Sequence, residues 1–192
     1  MERLIDHDGE LYLDKNFLLG GEAENLHNQL LNELDWNEEF ITIAGKPIKV
    51  PRLVCWHGDT GVQYRYSGTD HIAQCWTSSL LKLKEKLLAV TGKTFNGVLG
   101  NQYKNGQDSM GWHADKEKVL GAAPYIALLS LGDERLFKVR HNKSKKVLDL
   151  NLTNGSLLVM AGSLQKNWQH SLPKTSRIKA NRISLSFRTI IC

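Results

Sequence analysis

Two stretches of the chain carry residue types whose spacing suits catalysis. His113-Ala114-Asp115 follows a Gly- and Asn-rich turn. In an extended chain residues i and i+2 point to the same side. His113 and Asp115 can therefore offer two metal ligands at one edge of a sheet. A third ligand must come from elsewhere, and His170 is the candidate. Two histidines and one carboxylate on a single side of an octahedron form the donor set of non-haem Fe(II) oxygenases, which leaves three positions open. A His-x-Asp also arises by chance, and His57-Gly58-Asp59 is a second copy. Gly58 and the following Thr60-Gly61 make that copy read as a tight turn with a surface histidine. His7, His27, His71 and His141 read as residues that satisfy local hydrogen bonds.

The second stretch is Arg182-Ile183-Ser184-Leu185-Ser186-Phe187-Arg188. Alternation puts Arg182, Ser184, Ser186 and Arg188 on one face and the three apolar residues on the other. The apolar face can pack on a core. The polar row, with a cation at each end, then suits a small dicarboxylate, because the arginine fork matches carboxylate geometry. An edge strand with solvated arginines is the plainer explanation. Asn101 and Tyr103 share a strand face and can hydrogen-bond carboxylates without adding charge.

These residues need elements to hold them. Residues 21–35 and 77–91 read as amphipathic helices, the first on Leu26, Leu30, Leu31 and Leu34, the second on Leu80, Leu83, Leu87 and Leu88 with Gly92 as a stop. Ile41–Ile43 and Ile48–Val50 flank a hairpin-like turn. Strand-like runs follow at 95–103, 124–131, 135–140, 147–152, 156–160 and 182–191, punctuated by Asn105-Gly106, Gly132-Asp133 and Asn154-Gly155. This order predicts an α+β, mainly β chain: helices on one side of a β-sandwich or jelly roll.

The 192 residues fit one domain, and an apolar share of 41% with 23% charged residues is ordinary for a soluble globular protein. A net charge of +5 favours acidic partners, nucleic acid above all. The three cysteines, Cys55, Cys75 and Cys192, form no CxxC pair, which argues against a disulfide framework and a cysteine zinc site. The first residues lack the apolar region of a signal peptide, and no apolar run reaches the roughly 20 residues of a membrane helix. A reduced, intracellular protein without membrane contact is expected.

The order of motifs resembles the AlkB family of dioxygenases: Asn101-x-Tyr103, a turn, His113-x-Asp115, the distant Trp168-Gln169-His170, then Arg182 to Arg188. The likeness runs from about Pro51-Arg52 to Arg188. It implies a double-stranded β-helix (jelly roll) with supporting N-terminal helices. It implies Fe(II) on His113, Asp115 and His170, and 2-oxoglutarate and O2 as cosubstrates. Arg182 and Tyr103 would hold the distal carboxylate of 2-oxoglutarate, and Arg188 and Asn101 would hold or orient the end that chelates iron, with Ser184 also in the cosubstrate site. Ser184 and Ser186 depart from the family's usual Asn and Thr, so the fine hydrogen bonding there differs.

The stretch Pro51–Asp59 and Tyr64–Gly68 looks like the family's nucleotide-recognition lid. Tyr66 matches a position that stacks on the damaged base, Tyr64 one that hydrogen-bonds near it, and Glu117 a carboxylate that accepts from an exocyclic amine. Arg52, Arg65 and the Lys-rich 138–146 stretch are placed to meet phosphates, or else form a solvated basic face. Ile48 or Val50 is the expected apolar finger of a duplex-acting enzyme. The chain then divides into residues 1–50 (helix and hairpin), 51–92 (lid and supporting helix) and 93–192 (jelly-roll core) of one catalytic domain. The implied activity is oxidative demethylation of bases such as 1-methyladenine and 3-methylcytosine in DNA or RNA, for repair of alkylation damage, with release of formaldehyde, succinate and CO2. A monomer in the cytoplasm, or in the nucleus of a eukaryote, is expected. The alternative is a 2-oxoglutarate oxygenase acting on a protein or small molecule.

Overall fold

In the computed structural model the backbone is described for every residue except Ala44, Ser67, Gly68, Ile178 and Cys192, and the side chains of Ile43 and of residues 63–71 also lie outside the description. The chain begins with β1 (Glu2–Ile5), β2 (Glu10–Asp14), α1 (Gly20–Glu33), β3 (Asn37–Ile43) and β4 (Lys46–Gly58). It continues with β5 (Gln63–Tyr66), β6 (Thr69–Ile72), α2 (Ser78–Thr91), β7 (Gly97–Tyr103) and β8 (Met110–His113). After a 3-10 turn at Lys118–Leu120 come β9 (Ile126–Gly132), β10 (Arg135–His141), β11 (Val147–Leu152) and β12 (Ser156–Ala161). The last elements are α3 (Leu164–Asn167), β13 (Trp168–Leu172) and β14 (Arg182–Arg188).

An eight-stranded sheet of order β1-β2-β12-β9-β14-β7-β4-β3 faces a four-stranded sheet of order β11-β10-β13-β8. This is the expected jelly roll. The space between the sheets is filled by Ile126, Leu128, Leu158 and Met160 from the large sheet and Phe137, Val139, Leu150 and Trp168 from the small one. The other face of the large sheet packs on the helices. Leu30 of α1 and Leu80, Leu83 and Leu87 of α2 meet Leu129, Leu157, Ile183, Leu185 and Phe187 there.

The helices form where the leucine spacing places them, with small shifts at the ends. Thr77 lies just outside α2 as its cap, its hydroxyl accepting from the Leu80 amide at 3.3 Å, an interaction worth about 1 kcal/mol. Gly92 ends α2 with φ +66°, a left-handed conformation that glycine adopts without a Cβ penalty.

Several strands lie outside the expected runs. β1 and β2 extend the large sheet beside β12; their alternation is short and easily missed. β8 and β13 lie outside the strand-like runs, carry the His113 and His170 motifs, and pair with each other. The 41–50 hairpin belongs to a longer pair: Ile43 faces Lys46, and β4 runs on to Gly58 alongside β7. At the C-terminus the strand stops at Arg188. Beyond it Asn96 brackets Ile190, donating to its carbonyl and accepting from its amide, and Ile190 turns into a small cluster with Trp56 and Leu120.

The second His-x-Asp is a correction. His57 is 3% exposed and sits in β4 opposite Val98. Its Nδ1 bonds the Cys75 carbonyl at 2.8 Å. It is a buried sheet residue, because the strand persists through Gly58, where a side chain would strike the Asn96 carbonyl at 2.7 Å. The turn begins only after it.

Candidate metal and cosubstrate site

β8 and β13 are antiparallel neighbours with His113 directly opposite His170. Their rings lie 4.1 Å apart, centre to centre. Asp115 falls two residues beyond His113, just past the end of β8 rather than within it. The ligand atoms of His113, Asp115 and His170 lie within 4.8 Å of one another. Sheet pairing thus brings in the distant third ligand.

Each donor is held. His113 Nδ1 meets the Gly111 carbonyl at 2.9 Å, and Phe137 stacks on His170 with ring centres 5.4 Å apart. The backbone amide of Asp115 donates to Gln165 Oε1 at 3.0 Å. Nothing in the local sequence marks Gln165 for this role. Arg188 Nη2 donates to Asp115 Oδ2 at 3.2 Å.

The electrostatics suit a cation. Burial and the neighbouring His113 push His170 down to about 3, so its imidazole stays neutral and able to ligate near neutral pH. Burial alone would raise Asp115, but Arg188 and the two histidines outweigh it and keep the carboxyl ionised.

The same cavity continues along the inner face of the large sheet. Its lining includes the three donors together with Asn101, Tyr103, Arg182, Ser184 and Arg188. Register explains this grouping. Arg182 lies opposite Tyr103, and Ser184 opposite both Asn101 and Ser130. The polar row of β14 therefore faces inward, and all seven residues of the strand are buried. Edge solvation of the arginines is ruled out. Arg182 is 1% exposed, and its Nε donates to Ser130 Oγ at 3.1 Å. Its guanidinium centre stands 5.3 Å from the Tyr103 ring centre. Burial lowers it to about 10, so it remains a cation. Its Nη2 is buried and has no hydrogen-bond partner among the described residues. A buried cation with an unanswered donor is costly unless an anion completes it. The donor set and this orphaned nitrogen both fit Fe(II) with a dicarboxylate.

The expected substrate residues fall less neatly together. Tyr64 and Tyr66 are in β5, and their side chains lie outside the described residues. Glu117 is half-buried at the start of the 3-10 turn, and its Oε2 is buried without a partner among the described residues. Arg52 is not on a basic surface: it is 6% exposed and donates through Nε to Asn101 Oδ1 at 2.7 Å. In the Lys-rich stretch Lys138 pairs with Asp149, and Arg140 lies 4.2 Å over the Trp112 ring. A groove of about 300 Å³ leads to His113 between Ile41, Ile48, Val50, Arg52 and Trp112.

The site matches known proteins. Residues 10–188 match the 2OG-Fe(II) oxygenase superfamily. The chain is 36% identical over 189 residues to DNA oxidative demethylase ALKBH2 of Bos taurus, covering 91% of this chain and 67% of that one. It is 34% identical over 179 residues to the Homo sapiens alpha-ketoglutarate-dependent dioxygenase alkB homolog 3, covering 88% and 62%. The solved structure of OsALKBH1 superposes with a TM-score of 0.67 at 17% identity, over 93% of this chain and 97% of that one, which bears on the fold. Fold and site together define a dioxygenase that uses Fe(II), 2-oxoglutarate and O2. Within that class, the chain belongs to the AlkB family.

Proposed function

We propose that this enzyme removes methyl groups oxidatively from alkylated bases of nucleic acid, in repair of DNA alkylation damage. The observation that carries the reading is one buried cavity lined by His113, Asp115, His170, Arg182 and Arg188, in a chain 36% identical to a DNA oxidative demethylase.

His113, Asp115 and His170 hold Fe(II). Arg182 and Tyr103 hold the distal carboxylate of 2-oxoglutarate, and Ser184 and Asn101 line its path toward the metal. Arg188, with Asn101, holds or orients the chelating end, and its contact with Asp115 also orients that carboxylate. Bound Fe(II), with 2-oxoglutarate and O2, supplies the oxidation of the N-methyl carbon. The resulting hydroxymethyl group leaves as formaldehyde, which needs no nucleophilic side chain.

The groove beside His113 is the base's approach. Tyr66 stacks on the base, Tyr64 bonds near it, and Glu117 accepts from its exocyclic amine. A cationic lesion such as 1-methyladenine or 3-methylcytosine gains from an aromatic face and a nearby carboxylate. Of the two finger candidates Ile48 is exposed and Val50 buried, which favours Ile48. The chain works as one catalytic domain and a monomer, with residues 51–92 as lid and supporting helix, in the cytoplasm or nucleus where nucleic acid is found. No helix among the described residues is long and apolar enough to cross a membrane.

The test is a short oligonucleotide with one 1-methyladenine, followed by mass after addition of air to protein loaded anaerobically with Fe(II) and 2-oxoglutarate. Loss of one methylene equivalent that depends on 2-oxoglutarate is expected. Consumption of 2-oxoglutarate with an untouched oligonucleotide would reject the substrate, and repeats on duplex DNA and RNA define its class.

A further inference from the structure

We infer that Arg52 is a positioning residue that sets which end of the Asn101 amide faces the cosubstrate cavity. The inference rests on reading that cavity as the 2-oxoglutarate site.

β4 and β7 are antiparallel, with Val54 opposite Asn101. Arg52 lies two residues before Val54, on the same face, and so is a diagonal neighbour of Asn101 within reach of a long side chain. Both residues are 6% exposed. The Arg52 Nε–H donates to Asn101 Oδ1 at 2.7 Å, at the short end for a charge-assisted bond. An asparagine amide has two ends of nearly equal shape and opposite polarity: an oxygen that only accepts and an NH2 that only donates. With Oδ1 engaged by Arg52, the NH2 end is left for the cavity that Asn101 lines together with Arg182, Ser184 and Arg188.

That choice matters for a dianion. An amide presenting NH2 attracts a carboxylate, whereas a reversed amide presents lone pairs to it. Serine hydroxyls can rotate to suit either guest, but the Asn101 amide needs a neighbour to hold it. Arg52 also lines the groove on the opposite side, near Trp112 and His113. Arg52 thus borders the groove and reaches the cosubstrate cavity through its bond to Asn101.

The chemistry gives a test independent of turnover. In glutamine the terminal nitrogen occupies the place of arginine Nε, so Arg52→Gln keeps the N–H donor and loses the charge. Arg52→Lys keeps the charge and puts a methylene there. The protein is loaded with Mn(II) under nitrogen, and 2-oxoglutarate is titrated in by calorimetry. We expect Arg52→Lys and Arg52→Ala to weaken binding about tenfold, and Arg52→Gln to stay within about threefold of the unaltered protein. Adding Asn101→Ala to Arg52→Ala should cost nothing further, since the two act as one unit. Equal affinities in all variants would overturn the inference. So would rescue by lysine with failure by glutamine, which would assign the effect to charge. Failure of the unaltered protein to bind 2-oxoglutarate would instead bring down the reading of the cavity, and this inference with it.

Discussion

Arg188 and Asp115 form an ion pair in the lining of the cavity, Nη2 to Oδ2 at 3.2 Å, with both side chains about 95% buried. A candidate metal ligand is thereby tied directly to the terminal strand. Buried pairs add little compared with apolar packing, but breaking one strands a charge.

Arg188→Met should therefore destabilise the metal-free protein by about 3–5 kcal/mol. Asp115→Asn in the same chain should recover most of that loss, because the stranded charge is gone. Urea unfolding of both single variants and the double variant checks this. Strictly additive losses would mean that the two residues are not coupled.

At the other end of the row, Arg182→Lys keeps a positive charge but loses the planar fork and the Nε bond to Ser130. The KM for 2-oxoglutarate should rise about 10- to 100-fold, as expected for one lost charged hydrogen bond of about 1.5–3 kcal/mol. Metal content, measured on the same sample, should not change. A loss of iron in parallel would show instead that the whole pocket had collapsed.

Asp133, at the turn between β9 and β10, accepts from the Ala180 amide at 2.8 Å and from Lys179 at 3.2 Å. Partial burial works against ionisation, but the Ala180 amide and Lys179 outweigh it and hold the carboxyl below its usual range. A depressed folded value means that its contribution is fully present above the unfolded pKa of about 3.9 and is lost as pH falls through the folded value. Asp133→Asn should remove about 1 kcal/mol near neutral pH, and the gap to the unaltered protein should close below about pH 4. Thermal unfolding against pH reads both. A gap that stays constant down to low pH would rule out the carboxylate as its source.

Cys55 belongs to β4 of the large sheet, with its side chain in the core against the helices, where burial pushes its thiol up to about 12, whereas Cys75 is exposed. Iodoacetamide at about pH 8 should label Cys75 and leave Cys55 untouched until denaturant is added, since the thiolate is the reactive form. Peptide mapping separates the sites. Prompt labelling of Cys55 would mean that the sheet opens far more readily than its packing implies.

The local periodicities were readable in the linear chain. Leucine spacing marked α1 and α2, and alternation marked β14 with its polar and apolar faces, because a residue's direction from a helix or strand depends only on its neighbours. The ordered set of motifs also pointed to the family. Tertiary structure decided the rest. Only the pairing of β8 with β13 brings His170 against His113. Only the sandwiching of β14 between two strands and two layers turns Arg182 and Arg188 from edge cations into buried ones. The partners Ser130 and Gln165 carry no sequence signal, and Arg52 stood out only as a cation for phosphates, because each acts through a contact with a residue far away in the chain. The two His-x-Asp triplets were near twins in sequence. Burial beside β7 made His57 a packing residue, and pairing with His170 across β8 and β13 made His113 a candidate ligand. The physical reason is that a side chain's chemistry depends on what surrounds it, and those surroundings are assembled by residues that the local sequence does not contain.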